Sequence, residues 1–191
     1  MFRICLEVCV KIFFMEIVML NGINLQQHET DIYGGLAMER KIRNSAKALI
    51  IKDGRMIAMK QDDNDEVIYI LPGGSQNAGE TLTDAVKREV AEEIGIDVEP
   101  LSLEFVIEGV YGEALHRVDF VFLCEYIGLV DQDSSILPSD ENQVEYEWLE
   151  IKNINELPLF PSKLRKQIIR LVEGEKTVMY LGNEEDDDLN S

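Results

Sequence analysis

The chain has 191 residues, of which 37 are acidic and 18 basic, so its formal net charge is −19. This charge argues against duplex nucleic acid as a partner, because binding there depends on lysine and arginine neutralising the phosphates. The length suits one domain with a proper hydrophobic core and tails. The three cysteines, Cys5, Cys9 and Cys124, have neither zinc-site spacing nor a disulfide pattern. We therefore expect a reducing cytoplasm, and a buried strand position for Cys124.

Residues 1–37 differ in character from the rest of the chain. The stretch 2–20 is mostly apolar, but Glu7, Lys11 and Glu16 interrupt it and do not share one helical face. A membrane span or a secretory signal would avoid these charges. Because Met38 looks like an ordinary start, our hypothesis is a poorly ordered or non-native extension. A membrane-associating arm is the alternative.

The remainder divides into a folded domain at 38–181 and an acidic tail at 182–191, which we expect to be disordered. The domain starts with apolar strands predicted at 46–51 and 56–59, joined by the hairpin signal Asp53-Gly54. A polar loop at 61–66 leads to a third strand at 67–71. That strand ends at Pro72-Gly73-Gly74, where glycines permit close approach of the backbone to a ligand.

The next segment, 80–94, is predicted to be a helix with carboxylates in unfavourable places. At 100° per residue its apolar residues form one stripe, made of Leu82, Ala85, Val86, Val90 and Ile94. Glu89 and Glu93 point to the middle of that side and Glu92 to its edge, in the half of the helix where the dipole disfavours anions. Arg88 points away from Glu89 and Glu93. A divalent cation is therefore the more complete compensation, and a solvated acidic face is the alternative.

These residues match a known motif. Its fixed positions are Gly74, Glu80, Arg88, Glu89, Val90, Glu92, Glu93, Gly95 and Ile96. They have the spacing of the Nudix box, and the chain resembles Nudix hydrolases from about Ser45 to Val172. The resemblance implies an α/β/α sandwich with a mixed β-sheet. It also implies hydrolysis of a nucleoside diphosphate linked to another group, with Mg²⁺ or Mn²⁺.

The resemblance implies roles for individual residues as well. The metal ligands would be the Gly73 carbonyl, Glu89, Glu92 and Glu93, while Arg88 and Glu80 would orient the carboxylates. Glu89 or Glu92 would accept the proton of the attacking water, a choice that the resemblance leaves open. Gly95 fits a helix stop, which is a structural role.

Further candidates lie outside the box. Gly74 and Tyr69 are candidate substrate contacts; Tyr69 either stacks on a base or packs in the core. His116 begins the second of two long β segments, 101–111 and 116–127, and is either a phosphate contact or base, or structural.

Acidic residues beyond the box add three more candidates. Asp119 either pairs with Arg117 or contacts a nucleotide. In or beside the loop at 128–143, Glu141 is the first candidate for an additional metal ligand or base, and Glu145 is the second.

The rest of the domain predicts a strand at 144–149, with Trp148 in the core, and a helix at 162–173. Three functions are compatible with this layout: a Nudix pyrophosphohydrolase, a nucleotide-binding sensor on the same scaffold, and the isopentenyl diphosphate isomerase branch, which relies on a catalytic cysteine. We favour the hydrolase. Nucleoside triphosphates, including oxidised ones, come first as substrates, followed by ADP-ribose and other nucleotide sugars. A homodimer is plausible.

Overall fold

A computed structural model describes residues 42–63, 66–111, 115–130 and 145–184. The predicted extension at 1–37, the candidate Glu141 and residues 185–191 of the tail lie outside these ranges. The described elements are β1 (Ile42–Lys52), β2 (Arg55–Asp63), β3 (Glu66–Ile70), β4 (Gly73–Ser75), α1 (Leu82–Ile94), β5 (Ile96–Tyr111), β6 (Leu115–Leu129), β7 (Tyr146–Glu150), a 3₁₀ helix (Ile151–Glu156), β8 (Leu159–Phe160), α2 (Lys163–Val172) and β9 (Tyr180–Asn183).

The strands form one mixed sheet in the order β8-β3-β2-β1-β6-β5-β9, with β4 paired to β1 and β7 paired to β2. Strand β1 runs parallel to β6, and β3–β8 and β5–β9 are also parallel pairs, whereas the other pairs are antiparallel. The opposite edge of β1 is shared, because β2 pairs with its last residues and β4 pairs with Ser45–Lys47. This divided edge brings the glycine turn against β1.

The core has two parts, one on each face of the sheet. On β1, Ala46, Ala48 and Ile50 pack in a cluster with the buried side of α1. Leu49 points the other way, into a cluster that contains Leu164 and other residues of α2. Side chains alternate along a strand, so β1 serves both layers at once. The predicted α/β/α sandwich with a mixed sheet is confirmed.

The element boundaries differ from the prediction mainly where pairing extends a strand. Strand β5 starts at Ile96 directly after the helix, because its first residues pair with the far end of β6. Strands β2 and β3 continue their antiparallel pairing into the predicted loop at 61–66. The glycine turn itself forms β4, a pairing that only the tertiary fold creates. Within the described residues, no helix has the length and apolar character needed to cross a membrane.

Candidate active site

The acidic helix α1 is fixed at both ends. Thr81 caps its start, since its hydroxyl accepts a hydrogen bond from the Asp84 amide at 3.1 Å. Gly95 ends it in the left-handed conformation, at φ 64°, and its N–H donates to the Ala91 carbonyl at 3.1 Å. The last turn carries no basic residue. The carboxylates of Glu92 and Glu93 therefore need a cation from elsewhere.

Arg88 supplies much of that charge. Its guanidinium donates through Nη1 to Glu89 Oε1 at 2.8 Å and to Glu92 Oε2 at 2.9 Å. Through Nε and Nη2 it also holds both oxygens of Glu80, at 2.8 and 3.0 Å. The expectation that Arg88 points away from Glu89 is wrong. The helical angle gives the direction of the Cα–Cβ bond, but the long arginine side chain turns back along the helix surface.

The Arg88–Glu80 pair shifts the pKa values of both groups. The hydrogen bonds with Glu80 raise the pKa of Arg88 above its ordinary value, more than burial lowers it. The hydrogen bonds from Arg88 lower the pKa of Glu80, assisted by the Asn77 amide, which donates to Glu80 Oε2 at 2.9 Å. Arg88 Nη2 also reaches the Ser75 carbonyl at 3.0 Å. The loop before α1 and the helix are thus tied together through one side chain.

The glycine turn lies against the remaining carboxylates. The Gly73 amide donates to Glu93 Oε2 at 2.7 Å. A Cβ on Gly74 would stand 2.3 Å from Glu89 Oε2, and a Cβ on Gly73 would stand 2.2 Å from the Ala46 carbonyl oxygen. Gly73 also has a φ of 122°, which side-chain-bearing residues rarely adopt. Gly73 is therefore required by the backbone of β1, whereas a side chain at position 74 would displace the Glu89 carboxylate.

Lys47 is a site residue that the sequence reasoning missed. It pairs with Gly73 in the β1–β4 register, and its ammonium group donates to the Gly73 carbonyl. The signal that could have found it is a single lysine within the otherwise apolar run at 46–51. Its position puts a positive charge beside a carbonyl that the family resemblance assigns to the metal.

The donor set suits a hard divalent cation. Three carboxylates, from Glu89, Glu92 and Glu93, and the Gly73 carbonyl are oxygen ligands of the kind that Mg²⁺ and Mn²⁺ prefer. In the described ranges, however, no three His, Cys, Asp or Glu side chains are arranged to hold a metal ion as they stand. Arg88 lies between Glu89 and Glu92, and Glu93 is hydrogen-bonded to the turn. The chemistry of the residues fits the metal, and binding requires these carboxylates to turn.

Of the other predicted candidates, His116 lies apart from this group. His116 is level with Ile42 on β1, five residues from the level of Gly73, a separation of about 16 Å. Its Nε2 lies 3.0 Å from Glu108 Oε2. This contact fits the structural role that was the alternative for His116. Tyr69 packs against the α2 cluster, and its hydroxyl donates to Glu147 at 3.1 Å. Burial and Glu147 together raise the pKa of Tyr69.

Two acidic candidates are also placed by the structure. The side chain of Glu145, the second choice for an extra ligand or base, is 70% exposed and lies 3.7 Å from Lys60. Asp119 is buried, and its Oδ2 accepts a hydrogen bond from Arg117 Nε at 2.8 Å. Of the two alternatives for Asp119, the structure shows the contact with Arg117, and the contact with a nucleotide stays a prediction.

Comparison with known proteins decides the family. The NUDIX domain matches residues 41–171, which is most of the chain. The chain belongs to the Nudix family. This membership confirms the resemblance seen in the box and the predicted enzyme class, a Nudix pyrophosphohydrolase.

Individual relatives are distant. The chain is 29% identical over 132 residues to an ADP-ribose pyrophosphatase of Methanocaldococcus jannaschii, an alignment that covers 66% of this chain and 72% of that protein. It is 30% identical over 108 residues to an 8-oxo-dGDP phosphatase of Danio rerio, covering 56% of this chain and 31% of that protein. Among solved structures, a MutT protein from Methanosarcina mazei aligns with a TM-score of 0.54 at 26% identity, over 73% of this chain and 100% of that one.

Adding a methyl group should affect activity and stability differently at the two glycines of the turn. In Gly74→Ala the new Cβ displaces the Glu89 carboxylate, a flexible side chain, so we expect a retained fold and a loss of about 100-fold in kcat. In Gly73→Ala the Cβ meets the backbone of β1, so thermal stability should fall as well. Gly128→Ala is the control, because a Cβ there meets nothing within 4 Å. Unchanged kcat in a folded Gly74→Ala protein would contradict the placement of Glu89.

The Arg88–Glu80 pair predicts a pH dependence of stability. The folded-state pKa of Glu80 is lowered, so its stabilising contribution is present above the ordinary glutamate pKa of about 4.3 and is lost as the pH falls through the folded value. Urea unfolding should therefore show Glu80→Gln least stable relative to wild type at neutral pH, with the difference shrinking below about pH 4. Glu156→Gln, at an exposed position, controls for the loss of one charge. A difference that stays constant with pH would exclude this role for Glu80.

Proposed function

We propose that this chain hydrolyses a diphosphate bond in a nucleoside diphosphate linked to another group, using Mg²⁺ or Mn²⁺ and attack of water on phosphorus. The observation that supports it best is that Glu89 and Glu93 lie against one glycine turn, while Arg88 joins Glu89 to Glu92. Carboxylates gathered near the C-terminal end of a helix are destabilising by themselves. A bound cation would offset the repulsion between these carboxylates.

Individual residues would have the following roles in metal binding. Glu89, Glu92, Glu93 and the Gly73 carbonyl would hold the metal, which supplies charge neutralisation and an acidified water when bound. Arg88 limits the movement of Glu89 and Glu92, because each shares a hydrogen bond with its guanidinium.

The reaction also needs a group that accepts the proton of the attacking water and a positive charge that attracts the substrate phosphates. The proton of the water would pass to Glu89 or Glu92, with Glu141 and Glu145 as further candidates. Lys47, beside the turn, would attract a phosphate oxygen into a site that the overall charge of −19 makes repulsive to anions.

The buried cysteine argues against the isomerase branch of the fold. Cys124 is 2% exposed within β6, and burial raises the pKa of its thiol to about 12. A catalytic cysteine needs an accessible, readily ionised thiol. The hydrolase and the sensor on the same scaffold are then the two functions to separate, and the complete set of box glutamates favours the hydrolase.

The names of the relatives indicate a broad class of substrate and no single compound. The two curated relatives described above are named for ADP-ribose and for 8-oxo-dGDP, which are both nucleoside diphosphate derivatives. We therefore extend the proposal to nucleoside triphosphates, including oxidised ones, and to ADP-ribose and other nucleotide sugars. A homodimer and a cytoplasmic location are part of the same proposal.

The test is phosphate and pyrophosphate release from a nucleotide panel with and without Mg²⁺. The panel holds dNTPs, oxidised dGTP, ADP-ribose, a nucleotide sugar and a dinucleoside polyphosphate. We expect metal-dependent turnover of one class, and a loss of about 100-fold or more in Glu92→Gln and Glu93→Gln, because several kcal/mol of charge stabilisation depend on the metal.

Glu125→Gln, at an exposed position of β6, should behave as wild type and controls for loss of a glutamate. Circular dichroism and thermal melting establish that each variant is folded. Full activity in both Glu92→Gln and Glu93→Gln would refute the site. Tight nucleotide binding by wild type without turnover of any panel member would instead identify a sensor.

A further inference from the structure

Within the described residues, two buried side chains of the sheet each carry one polar atom without a hydrogen-bond partner. Ser45 is 2% exposed and Asp119 is 3% exposed. The hydroxyl of Ser45 and the Oδ1 oxygen of Asp119 are both buried and unpaired. A buried polar atom without a partner destabilises the fold, and most such atoms in native proteins have one. The pair therefore calls for a physical reason, and a ligand that supplies the missing hydrogen bonds is one.

The two side chains are neighbours on one face of the sheet. Ser45 on β1 is the register partner of Asp119 on β6, and paired strands lie about 4.8 Å apart. Leu49 lies four residues after Ser45, and Val121 lies two residues after Asp119. Both belong to the cluster on the α2 side. Because side chains alternate along a strand, Ser45 and Asp119 face that side too. The two unpaired atoms therefore belong to neighbouring side chains on the same face of the sheet.

Asp119 has one oxygen engaged and one left over. Arg117, two residues away on the same strand, donates to Oδ2 at 2.8 Å. Arg117 also reaches Glu184 Oε2 at 3.4 Å, so a second carboxylate helps to hold the guanidinium. Because Arg117 holds Oδ2, the other oxygen, Oδ1, is left to bond elsewhere. As a carboxylate oxygen it accepts hydrogen bonds and does not donate them. The Ser45 hydroxyl beside it can donate or accept.

The pair lies close to the diphosphate end of the proposed active site. Lys47, two residues along β1 on the same face, contacts the Gly73 carbonyl. Ser45 is itself the register partner of Ser75, which is two residues beyond Gly73 on β4. The distance along the strand is therefore about 7 Å. A substrate with its phosphates at Gly73 and Lys47 would extend its nucleoside half towards Ser45 and Asp119.

We propose that Asp119 Oδ1 and Ser45 Oγ recognise hydrogen-bond donors on the nucleoside half of the substrate and so determine which group is accepted. This rests on the proposed function, since it takes the diphosphate at Gly73 as the anchor. The donors are either the ribose hydroxyls or the amino and ring N–H groups of a base, because a carboxylate oxygen accepts from both. A ligand without donors gains nothing from Asp119 Oδ1.

The test measures equilibrium binding by calorimetry, with Mg²⁺ present and with ligands whose bridging carbon prevents hydrolysis. The ligands are α,β-methylene GDP, its 2′-deoxy form, α,β-methylene IDP and methylenediphosphonate, which has no nucleoside. We expect Asp119→Asn to weaken binding of α,β-methylene GDP by about 10- to 100-fold, because a hydrogen bond to a charged acceptor is lost. Binding of methylenediphosphonate should not change.

The two nucleotide analogues identify the donor. If the 2′-deoxy form binds wild type as weakly as Asp119→Asn binds the parent, the donor is the ribose hydroxyl. If the inosine form does so, the donor is the amino group of the base. In either case the discrimination should disappear in Asp119→Asn, which a purely structural role for Asp119 would not produce.

Ser45→Ala covers the case in which Asp119→Asn does not fold. Removing an unpaired buried hydroxyl should leave the melting temperature equal or higher, while binding of α,β-methylene GDP weakens about 3- to 10-fold. Glu125→Gln, on the same strand as Asp119, is the control and should bind all four ligands as wild type does.

Equal weakening for all four ligands, or none in either variant, would overturn the specificity role. The active-site proposal would stand in that case if wild type still hydrolyses the nucleotide panel. Failure of wild type to bind methylenediphosphonate or any nucleotide would instead count against both proposals.

Discussion

The carboxylates of α1 repel one another, and the site depends on how the Arg88 guanidinium offsets that repulsion. It donates to Glu80, Glu89 and Glu92 and to the Ser75 carbonyl. Removing it would leave partly buried charges uncompensated, which costs more than the pair itself contributes. The same contacts fix the loop before α1. Arg88 therefore both compensates the charge of these carboxylates and positions Glu89 and Glu92, two of the proposed metal ligands.

The second constraint is the divided edge of β1. Because β4 pairs with the first half of that edge, Gly73 and Gly74 lie between the sheet and α1 without room for a side chain. Alternation along β1 then places Ala46 and Ala48 under α1, while Ser45 and Lys47 face the α2 side. One strand thus supports the acidic helix from one face and presents polar groups to the other. That division would allow the proposed phosphate and nucleoside sites to adjoin.

The sequence predicted the parts that local periodicity and the box determine. The apolar stripe of α1 is buried as expected except for Leu82, which is half-buried, and Cys124 lies in the core. The direction of Arg88 was predicted wrongly, because helical angles describe Cβ positions and not side-chain rotamers. The proposed roles of Lys47 and Ser45 depend on the registers of β1 with β4 and β6. Such pairings join residues distant in sequence, and periodicity carries no information about them.

A manganese titration followed by electron paramagnetic resonance tests most directly whether the box glutamates form a metal site. The signal of free Mn²⁺ is measured as protein is added, for wild type and for Glu93→Gln, both shown to be folded. Wild type should remove Mn²⁺ from solution in a saturable manner, and Glu93→Gln should bind it much more weakly, since one of four proposed ligands is lost. Equal Mn²⁺ affinity in the two proteins would contradict a metal site at the Gly73 turn.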